Sequence, residues 1–356
     1  MNNKILIKPI EIFCGTGGVG KTTLAASRAL YLAITGKKVL LITIDPAKRL
    51  KQVLKISDTN ESGKIKRISA NIFLQKSCDD NISFDALLMS PSATLKRIGE
   101  INNTSKELTN PILKTLMRPY GGMNEIMAIV EVQHHMNENI YDTIILDTPP
   151  GKHFIDFLEA SKKIGHFFDR SFIDIFKHLG KSVATTSSII DKSGIMSGLL
   201  SSGIKKLLKY LEKVTGSNFV EEFIDAIIAI YKSKDSFIKA LQFQEQLKSK
   251  DISNWFLVTS IEQQKIDEAN EIQKQSLKFM HGDSYILINR SLQTYLDEWK
   301  IKSDELYLKK LKQNLISNEK NIDDKFQIGN AKKIKFPEIM EEAPERHVLA
   351  LSEYWK

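Results

Sequence analysis

The sequence predicts an α/β fold built on a doubly wound, mostly parallel β-sheet. The first observation is alternation: the strand-like run Ile10–Cys14 precedes a helical pattern over Thr22–Ile34, and the strand-like run Lys38–Ile44 follows. The second is the nearly continuous apolar character of Lys38–Ile44, which is typical of a parallel strand covered on both faces. The third is size, because 356 residues with 42% hydrophobic and 26% charged residues suit one large globular domain or two small ones.

Further strands are predicted from short apolar runs farther along the chain. They lie at residues 71–75, 141–147, 255–259, 285–289 and 334–336. Two long stretches between them show helical patterns, so we expect one domain, residues 1–356, whose core is interrupted by helical insertions. The core is expected at about 8–80, 139–153 and 251–356, and the insertions at about 81–138 and 154–250.

The most specific motif is Gly15–Thr22, which matches the phosphate-binding pattern G-x-x-x-x-G-K-[ST] between a predicted strand and a predicted helix. This context indicates a fold of the P-loop NTPase type. The glycines let successive backbone N–H groups surround a polyphosphate, and the helix N-terminus adds positive partial charge. Lys21 would neutralise the β- and γ-phosphates, and the Thr22 hydroxyl would ligate Mg²⁺. The residues expected to hold the nucleotide here are Gly15, Thr16, Gly17, Gly18, Val19, Gly20, Lys21, Thr22 and Thr23.

Two aspartates stand at the ends of predicted strands, where parallel strands bring side chains to one edge of the sheet. Asp147 is expected to hold Mg²⁺ through a water molecule, and Asp45 is expected to orient or deprotonate the attacking water beside Lys21. The alternative for each is a turn aspartate that accepts hydrogen bonds from loop N–H groups. Proline follows both, which suits loops with two discrete positions. His153 would either sense the γ-phosphate or cap the next helix.

The late strand indicates which base is bound. GTPases usually carry Asn-Lys-x-Asp after such a strand, whereas this chain has Asn289, Arg290, Ser291 and Leu292. Leucine at the fourth position cannot accept hydrogen bonds from guanine, so GTP is disfavoured. Asn289 could pair with the adenine edge through its amide, with Arg290 beside it. The expected cofactors are therefore ATP and Mg²⁺.

The net charge of +8 is concentrated in one segment. Residues 161–210 carry nine Lys or Arg against three Asp, and residues 204–211 within them form a short amphipathic helical pattern. A basic excess can serve nucleic acid, an anionic membrane or an acidic partner, or it can be a solvated lysine-rich surface. No further feature supports nucleic-acid binding.

Other features bear on the compartment. No apolar run approaches the roughly 20 residues that span a bilayer, and the start of the chain carries no signal-peptide pattern. Cys14 and Cys78 are the two cysteines and form no C-x-x-C pair, so a cysteine-based zinc site is not supported. We expect a cytoplasmic protein.

Together these motifs resemble those of the arsenite/anion-transporting ATPase family, which also includes the ATPase that guides tail-anchored membrane proteins. The resemblance covers nearly the whole chain. It rests on the phosphate loop, on Thr43–Ala47 as a first switch, on Tyr141–His153 as a second switch, and on Asn289 after its strand. The resemblance implies a P-loop ATPase that works as a homodimer or as a heterodimer with a paralogue.

The chain also departs from the family pattern. Thr16 stands where the family's phosphate loop normally has a signature lysine, which in relatives reaches the partner's nucleotide. The zinc-binding C-x-x-C of the targeting ATPases and the arsenite-binding cysteine triad are both absent. The resemblance therefore implies neither a zinc site nor an arsenite-stimulated pump.

Three functional hypotheses follow. The first is a Mg²⁺-dependent ATPase whose hydrolysis cycle rearranges its loops and helices to handle a hydrophobic or membrane-protein client. Five of the nine methionines lie in the first insertion, where they suit either core packing or an adaptable apolar surface. The second, motivated by Thr16, is a nucleotide-gated interaction module with little intrinsic turnover. The third, motivated by residues 161–210, is an ATPase positioned on a membrane or DNA surface.

Overall fold

A computed structural model describes most of residues 1–159 and most of residues 232–356. The described residues are 5–44, 48–54, 63–74, 82–104, 124–159, 213–214, 216, 218, 222, 225–226, 230, 232–281, 283–302, 305–325 and 331–356. Several sequence predictions fall outside them. These are the roles of Asp45 and Cys78, the basic segment 161–210, and its amphipathic helix at 204–211.

Strands and helices alternate along the described parts of the chain. The strands are β1 (Ile10–Gly15), β2 (Val39–Thr43), β3 (Ile65–Ser69), β4 (Ser83–Leu88), β5 (Thr143–Asp147), β6 (Ser253–Ser260), β7 (Tyr285–Ser291) and β8 (Lys332–Pro337). The helices are α1 (Lys21–Ile34), α2 (Lys48–Val53), α3 (Asn71–Leu74), α4 (Pro91–Ile101), α5 (Asn124–Asn137), α6 (Lys152–Leu158), α7 (Lys234–Gln246), α8 (Gln263–Ser276), α9 (Gln293–Glu298), α10 (Leu306–Lys325) and α11 (Pro344–Ser352).

The eight strands form one sheet in the order β3-β4-β2-β5-β1-β6-β7-β8. All neighbours are parallel except β3 and β4, which are antiparallel. β2 to β5 lie on one side of β1 in the sheet, and β6 to β8 lie on its other side. The direction in which strands are added therefore reverses at β1. Such a reversal opens a crevice at the carboxyl ends of the strands. The predicted doubly wound, mostly parallel α/β fold is confirmed.

Both faces of the central strands are buried. Phe13 of β1 and Phe256 of β6 lie in one core cluster with α1 and α11, where their rings are 4.8 Å apart. Side chains alternate across a strand, so Trp255 projects to the opposite face and contacts Phe154 of α6 with a ring separation of 6.2 Å. Helices on both faces explain why these strands are apolar at nearly every position.

The strand predicted at residues 71–75 is wrong. Residues 71–74 form the short helix α3, in which the Asn71 N–H donates to the Ser69 hydroxyl and the Phe73 N–H donates to the Ala70 carbonyl. The apolar run is nevertheless buried, since Phe73 is fully enclosed. The Ser69 hydroxyl offers a local hydrogen bond just before the helix, whereas the apolar run alone fits either a helix or a strand.

The sheet contains two strands that the sequence patterns did not predict, β3 and β4. β3 is an edge strand of alternating exposure with Lys66 and Arg67 in its centre, a composition that protects a sheet edge. β4 is pinned between β2 and β3 and belongs to the sheet although it lies where the first insertion was expected to begin.

A buried ion pair joins β1 to α1. Both Glu11 carboxylate oxygens accept hydrogen bonds of 2.8 Å from the Arg28 guanidinium, and both side chains are at most 1% exposed. Asn254 of β6 donates to the same carboxylate at 3.3 Å, and the Arg28 guanidinium lies 5.1 Å from the Trp355 ring centre. The charges are thus enclosed by hydrogen bonds and an aromatic face, as buried charges require.

The chain divides into two compact units. One comprises residues 1–89, 132–158 and 243–356, and contains the whole sheet. The other comprises residues 90–131 and 159–242. In the latter, Ser90 caps α4, and the buried Glu131 of α5 accepts hydrogen bonds from Arg97 and Thr94. Polar contacts therefore organise the second unit internally.

Two further sequence interpretations can be compared with the described residues. Met89 and Met127 are at most 2% exposed, so these two pack in the interior, and Met136 is partly buried. Met117 and Met123 lie outside the described residues.

Among the helices that the structure describes, none combines the length and apolarity needed to cross a bilayer.

Breaking the Glu11–Arg28 pair should destabilise the protein strongly. We expect Arg28→Met to lower the free energy of unfolding by about 3–5 kcal/mol, because it leaves a buried carboxylate without its counter-charge. The measurement is urea unfolding followed by tryptophan fluorescence. Lys248→Ala, which removes an exposed partner of Glu245, is the control and should change stability by less than about 0.5 kcal/mol. Glu11→Leu combined with Arg28→Met should be more stable than Arg28→Met alone; equal losses would contradict the charge explanation.

Candidate nucleotide-binding site

The phosphate loop follows β1 at the carboxyl edge of the sheet, and two of its glycines are required by their surroundings. Gly15 has φ 145°, and a Cβ there would lie 2.1 Å from the Val258 carbonyl oxygen of β6. Gly20 has φ 91°, and its Cβ would lie 2.4 Å from Nδ2 of Asn289 on β7. The loop therefore passes closer to the β6 backbone at Gly15, and closer to the Asn289 side chain at Gly20, than a Cβ atom would permit.

The loop ends at the N-terminus of α1, which begins at Lys21. Gly20 occupies the N-cap position in a left-handed conformation, no side chain caps the helix, and its first turn holds no acidic residue. The first N–H groups of a helix need acceptors, and an anion can supply them. This helix start fits a phosphate group.

Lys21 is 8% exposed, and its Nζ lies 3.4 Å from the Thr16 carbonyl oxygen. The ammonium group thus folds back over the loop that precedes it, where it would face a phosphate held by the N–H groups. Cys14, just before the loop, is fully buried. Burial raises the pKa of its thiol to about 12, although the Lys21 charge acts in the opposite direction, so Cys14 is an inert core residue.

Two hydroxyls beside the loop are buried without a partner. Thr16 and Thr23 are 1% and 3% exposed, and their Oγ1 atoms have no hydrogen-bond partner among the described residues. A buried hydroxyl without a partner costs about 1–3 kcal/mol. A polyphosphate in the loop would supply acceptors for such donors, so the residues present fit this ligand.

Three side-chain oxygens meet at the ends of β2 and β5. Thr22 of α1 donates to Asp147 Oδ2 at 2.8 Å, and Thr43 of β2 contacts the same oxygen at 3.2 Å. Asp147 is 4% exposed. Hydroxyl and carboxylate oxygens are the ligands that Mg²⁺ prefers, so Thr22 and Asp147 fit a Mg²⁺ ion beside the phosphate loop.

The segment after Asp147 is fastened to the strand and loop next to it. The Thr148 hydroxyl and N–H both donate to the Phe13 carbonyl oxygen, at 2.8 and 3.1 Å. The Gly151 N–H donates to the Gly15 carbonyl oxygen at 3.0 Å. The second predicted switch therefore contacts the phosphate loop directly.

Asn289 and Arg290 lie at the end of β7. Asn289 is 3% exposed, and its Nδ2 donates to the Val19 carbonyl oxygen at 2.8 Å, so it holds the phosphate loop against β7. Arg290 has φ 60°, and its Nε lies 3.8 Å from Glu338 Oε2. The positive φ turns the backbone sharply just after Asn289.

The sequence matches the model of the anion-transporting ATPase family over residues 9–345. The chain belongs to the anion-transporting ATPase family. Because this is a family of ATPases, membership implies a nucleotide-binding site, and the phosphate loop is where the structure offers one.

Individual relatives are similar over only part of their length. The "ATPase GET3" of Rhodotorula glutinis is 31% identical over 144 residues, which are 40% of this chain and 38% of the relative. The "Putative arsenical pump-driving ATPase 2" of Aquifex aeolicus is 31% identical over 166 residues, 45% of this chain and 52% of the relative. The "ATPase GET3" of Kluyveromyces lactis is 26% identical over 239 residues, 62% of this chain and 64% of the relative.

In this member of the anion-transporting ATPase family, the structure brings most of the predicted site residues together. Gly15–Thr23, Asp147 and Asn289 are linked by the contacts given above. Asp45 lies outside the described residues, and Arg290 contacts Glu338. His153 lies near the start of α6, is half-exposed, and has Nδ1 3.8 Å from Asp156 Oδ2.

The sequence analysis included Thr43, Thr148 and Gly151 in the two predicted switches but gave none of them an individual role. Thr43 contacts Asp147, and the other two fasten the segment after it. All three residues lie within four positions of a predicted aspartate. Their position at a strand end was therefore the sequence signal that could have identified them. What the patterns could not provide was the pairing of Thr43 with Asp147 across neighbouring strands.

A separate cavity of about 380 Å³ opens at the opposite edge of the sheet, where β6, β7 and β8 begin. Its lining includes Lys8, Asn254, His281, Tyr285 and Lys332. In parallel α/β sheets ligands bind at the carboxyl edge, so this cavity does not define the nucleotide site.

Alanine substitutions at two loop glycines should have very different effects. Gly15→Ala places a Cβ against the Val258 carbonyl oxygen and should lower the thermal unfolding midpoint strongly or prevent folding. Gly18 also has a positive φ, of 79°, but no atom lies within 4 Å of its would-be Cβ. Gly18→Ala, the matched control, should cost only backbone strain of about 1–2 kcal/mol. Similar midpoints measured by circular dichroism for the two variants would contradict the close approach of β6.

Proposed function

We propose that this protein binds MgATP at the phosphate loop and hydrolyses it to ADP and phosphate. The observation that carries the proposal is the 2.8 Å contact between the Thr22 hydroxyl and Asp147, directly beside the glycine loop and Lys21. If the threonine–aspartate contact had only a structural role, it would not require a glycine loop, an uncapped helix start and a buried lysine beside it. Family membership over residues 9–345 supports the same reaction.

Each residue has a distinct part in the proposed reaction. MgATP, when bound, supplies the phosphoanhydride bond and a divalent charge that stabilises negative charge on the phosphates. The loop N–H groups and Lys21 hold and neutralise the phosphate oxygens, while Thr22 and Asp147 hold the Mg²⁺. Asp45 orients the attacking water and accepts its proton. Its place in the chain supports this role, because it follows β2, whose last residue, Thr43, contacts Asp147.

Adenine recognition is assigned to Asn289, with Arg290 beside it. Since Nδ2 of Asn289 donates to the Val19 carbonyl, the amide oxygen is the atom that would accept from the exocyclic amino group of adenine. This arrangement uses one side chain both to fasten the loop and to choose the base. Leu292 cannot accept hydrogen bonds from guanine, and this also favours ATP over GTP.

Hydrolysis is proposed to move the second switch. Gly151 donates to the Gly15 carbonyl, so a change in the phosphate loop passes directly to the segment that leads into α6. Order changes in such loops are a common consequence of losing a γ-phosphate. We place the reaction in one discontinuous ATPase domain with helical insertions, located in the cytoplasm. Its dimerisation and its handling of a hydrophobic or membrane-protein client are extensions of the proposal supported by the family resemblance.

A second candidate function is a nucleotide-gated interaction module with little intrinsic turnover. The observation that favours it is Thr16, which is 1% exposed and carries no charge where the family pattern has a lysine. Turnover of the purified chain far below the roughly 1–10³ s⁻¹ of typical enzymes, together with tight ATP binding, would support this candidate. Turnover within that range, without any partner, would exclude it.

Removing the phosphate-loop lysine should abolish nucleotide binding. In Lys21→Ala, titration with ATP at millimolar Mg²⁺ should give no measurable heat, because the buried positive charge opposite the phosphates is lost. Lys37→Ala removes an exposed lysine after α1 and should bind ATP as the unmodified protein does. Undiminished binding by Lys21→Ala, or no binding by the unmodified chain, would end the proposal.

Replacing the proposed base should separate binding from hydrolysis. Asp45→Asn should bind ATP with nearly unchanged affinity but hydrolyse it at least about 10²-fold more slowly, since an amide cannot accept the proton of water. Phosphate release under single-turnover conditions measures the step. Asp267→Asn, at an exposed position on α8, is the matched control and should hydrolyse normally. Normal hydrolysis by Asp45→Asn would remove that residue from the mechanism.

A further inference from the structure

Two histidines and a glutamate cluster at the end of helix α5, and the proposed ATPase reaction does not use them. His134, His135 and Glu138 each offer one ligand atom, and all of these atoms lie within 4.8 Å of one another. His135 Nδ1 is 2.8 Å from Glu138 Oε2, and His134 Nε2 is 3.7 Å from Glu138 Oε1. We propose that this cluster binds a divalent transition-metal ion of the zinc class.

The helix geometry explains why these three side chains converge. Residues three and four positions apart lie on the same face of a helix. Glu138 follows His135 by three positions and His134 by four, so all three side chains share one face. The Glu138 N–H still donates to the His134 carbonyl at 3.3 Å, so helical geometry extends to Glu138 although α5 ends at Asn137. Asn139, with φ 54°, then turns the chain away.

The spacing of the ligand atoms suits tetrahedral coordination. With metal–nitrogen bonds of about 2.0–2.1 Å, tetrahedral zinc separates its ligand atoms by roughly 3.3 Å. His135 Nδ1 lies 2.8 Å from Glu138 Oε2 and His134 Nε2 lies 3.7 Å from Glu138 Oε1, so each imidazole has a carboxylate oxygen near this separation. One ligand atom from each of the three residues lies within 4.8 Å of the other two. A water molecule would complete the coordination, since the cluster supplies three protein ligands.

The chemistry of the ligands selects the class of ion. Imidazole nitrogens suit Zn²⁺, Ni²⁺ and Cu²⁺, whereas Mg²⁺ and Ca²⁺ prefer oxygen ligands. Two neutral imidazoles and one carboxylate carry a net negative charge, and the C-terminal end of α5 adds negative partial charge, which favours a cation. His135 is 6% exposed, so its ring is held in place by packing, while His134 and Glu138 are 30% and 36% exposed and remain accessible to an ion.

The alternative is an ordinary pairing of imidazole and carboxylate at the end of a helix. Such a pair needs one histidine. Here two histidines face the two oxygens of one carboxylate, and their ring centres are 5.0 Å apart. The second imidazole is the observation that favours an ion over a simple pair.

Metal titration of the full chain tests the proposal. Tag-free, EDTA-treated protein is titrated with Zn²⁺ by calorimetry without nucleotide or Mg²⁺, and Cu²⁺ binding is followed by electron paramagnetic resonance. We expect one Zn²⁺ per cluster, with affinity at least tenfold weaker in His134→Ala and in Glu138→Ala, and Cu²⁺ spectra showing coupling to two nitrogens. His347→Ala removes a histidine of α11 outside the cluster and should bind as the unmodified protein does.

Several results would overturn the site. They are no Zn²⁺ binding by the unmodified chain, unchanged affinity in both His134→Ala and Glu138→Ala, or an equal loss in His347→Ala. His134 is the preferred substitution because it is the more exposed histidine, so its removal leaves the fold intact even where His135→Ala does not. The readout is independent of ATP turnover, so failure here and failure of the proposed ATPase reaction are distinguishable.

Discussion

The close approach of the phosphate loop to two neighbouring strands is the constraint on which the rest of the site depends. Gly15 passes under the Val258 carbonyl of β6, and Gly20 passes against the Asn289 amide of β7. These contacts fix the loop from one side of β1. The Gly151 hydrogen bond to Gly15 fixes it from the other side. The loop is therefore held on one side by β6 and the Asn289 amide and on the other by the Gly151 N–H, as a preorganised anion site requires.

The order of strands explains how residues far apart in sequence reach this loop. β5 lies between β1 and β2, so Asp147 stands beside both the loop and Thr43. The same order places β6 and β7 on the other side of β1, where Asn289 meets Val19. Behind the loop, Glu11 and Arg28 join the strand that leads into it to the helix that leaves it. The buried pair therefore joins the two elements that flank the phosphate loop.

Much of this architecture could be predicted from sequence because the signals are local. The motif Gly15–Thr22, and the apolar runs that became β1, β2, β5, β6, β7 and β8, are each contained in a few consecutive residues. The failures occurred where the deciding partner is remote or polar. The apolar run at residues 71–74 forms α3 after Ser69, whose hydroxyl accepts from the Asn71 N–H, and β3 has the polar composition of an edge strand that pairs with β4. The pairing of Thr43 with Asp147 depends on strand order, which no single segment contains.

The double hydrogen bond from Thr148 to Phe13 has a mechanical consequence. Two hydrogen bonds fix Thr148 to the Phe13 carbonyl of β1, whereas Gly151 is held to the Gly15 carbonyl by a single hydrogen bond. Between them stand Pro149 and Pro150, whose rings restrict the backbone to rotation about one soft angle each. If α6 moves while Thr148 stays in place, the movement must therefore use the few backbone angles that the two prolines leave free.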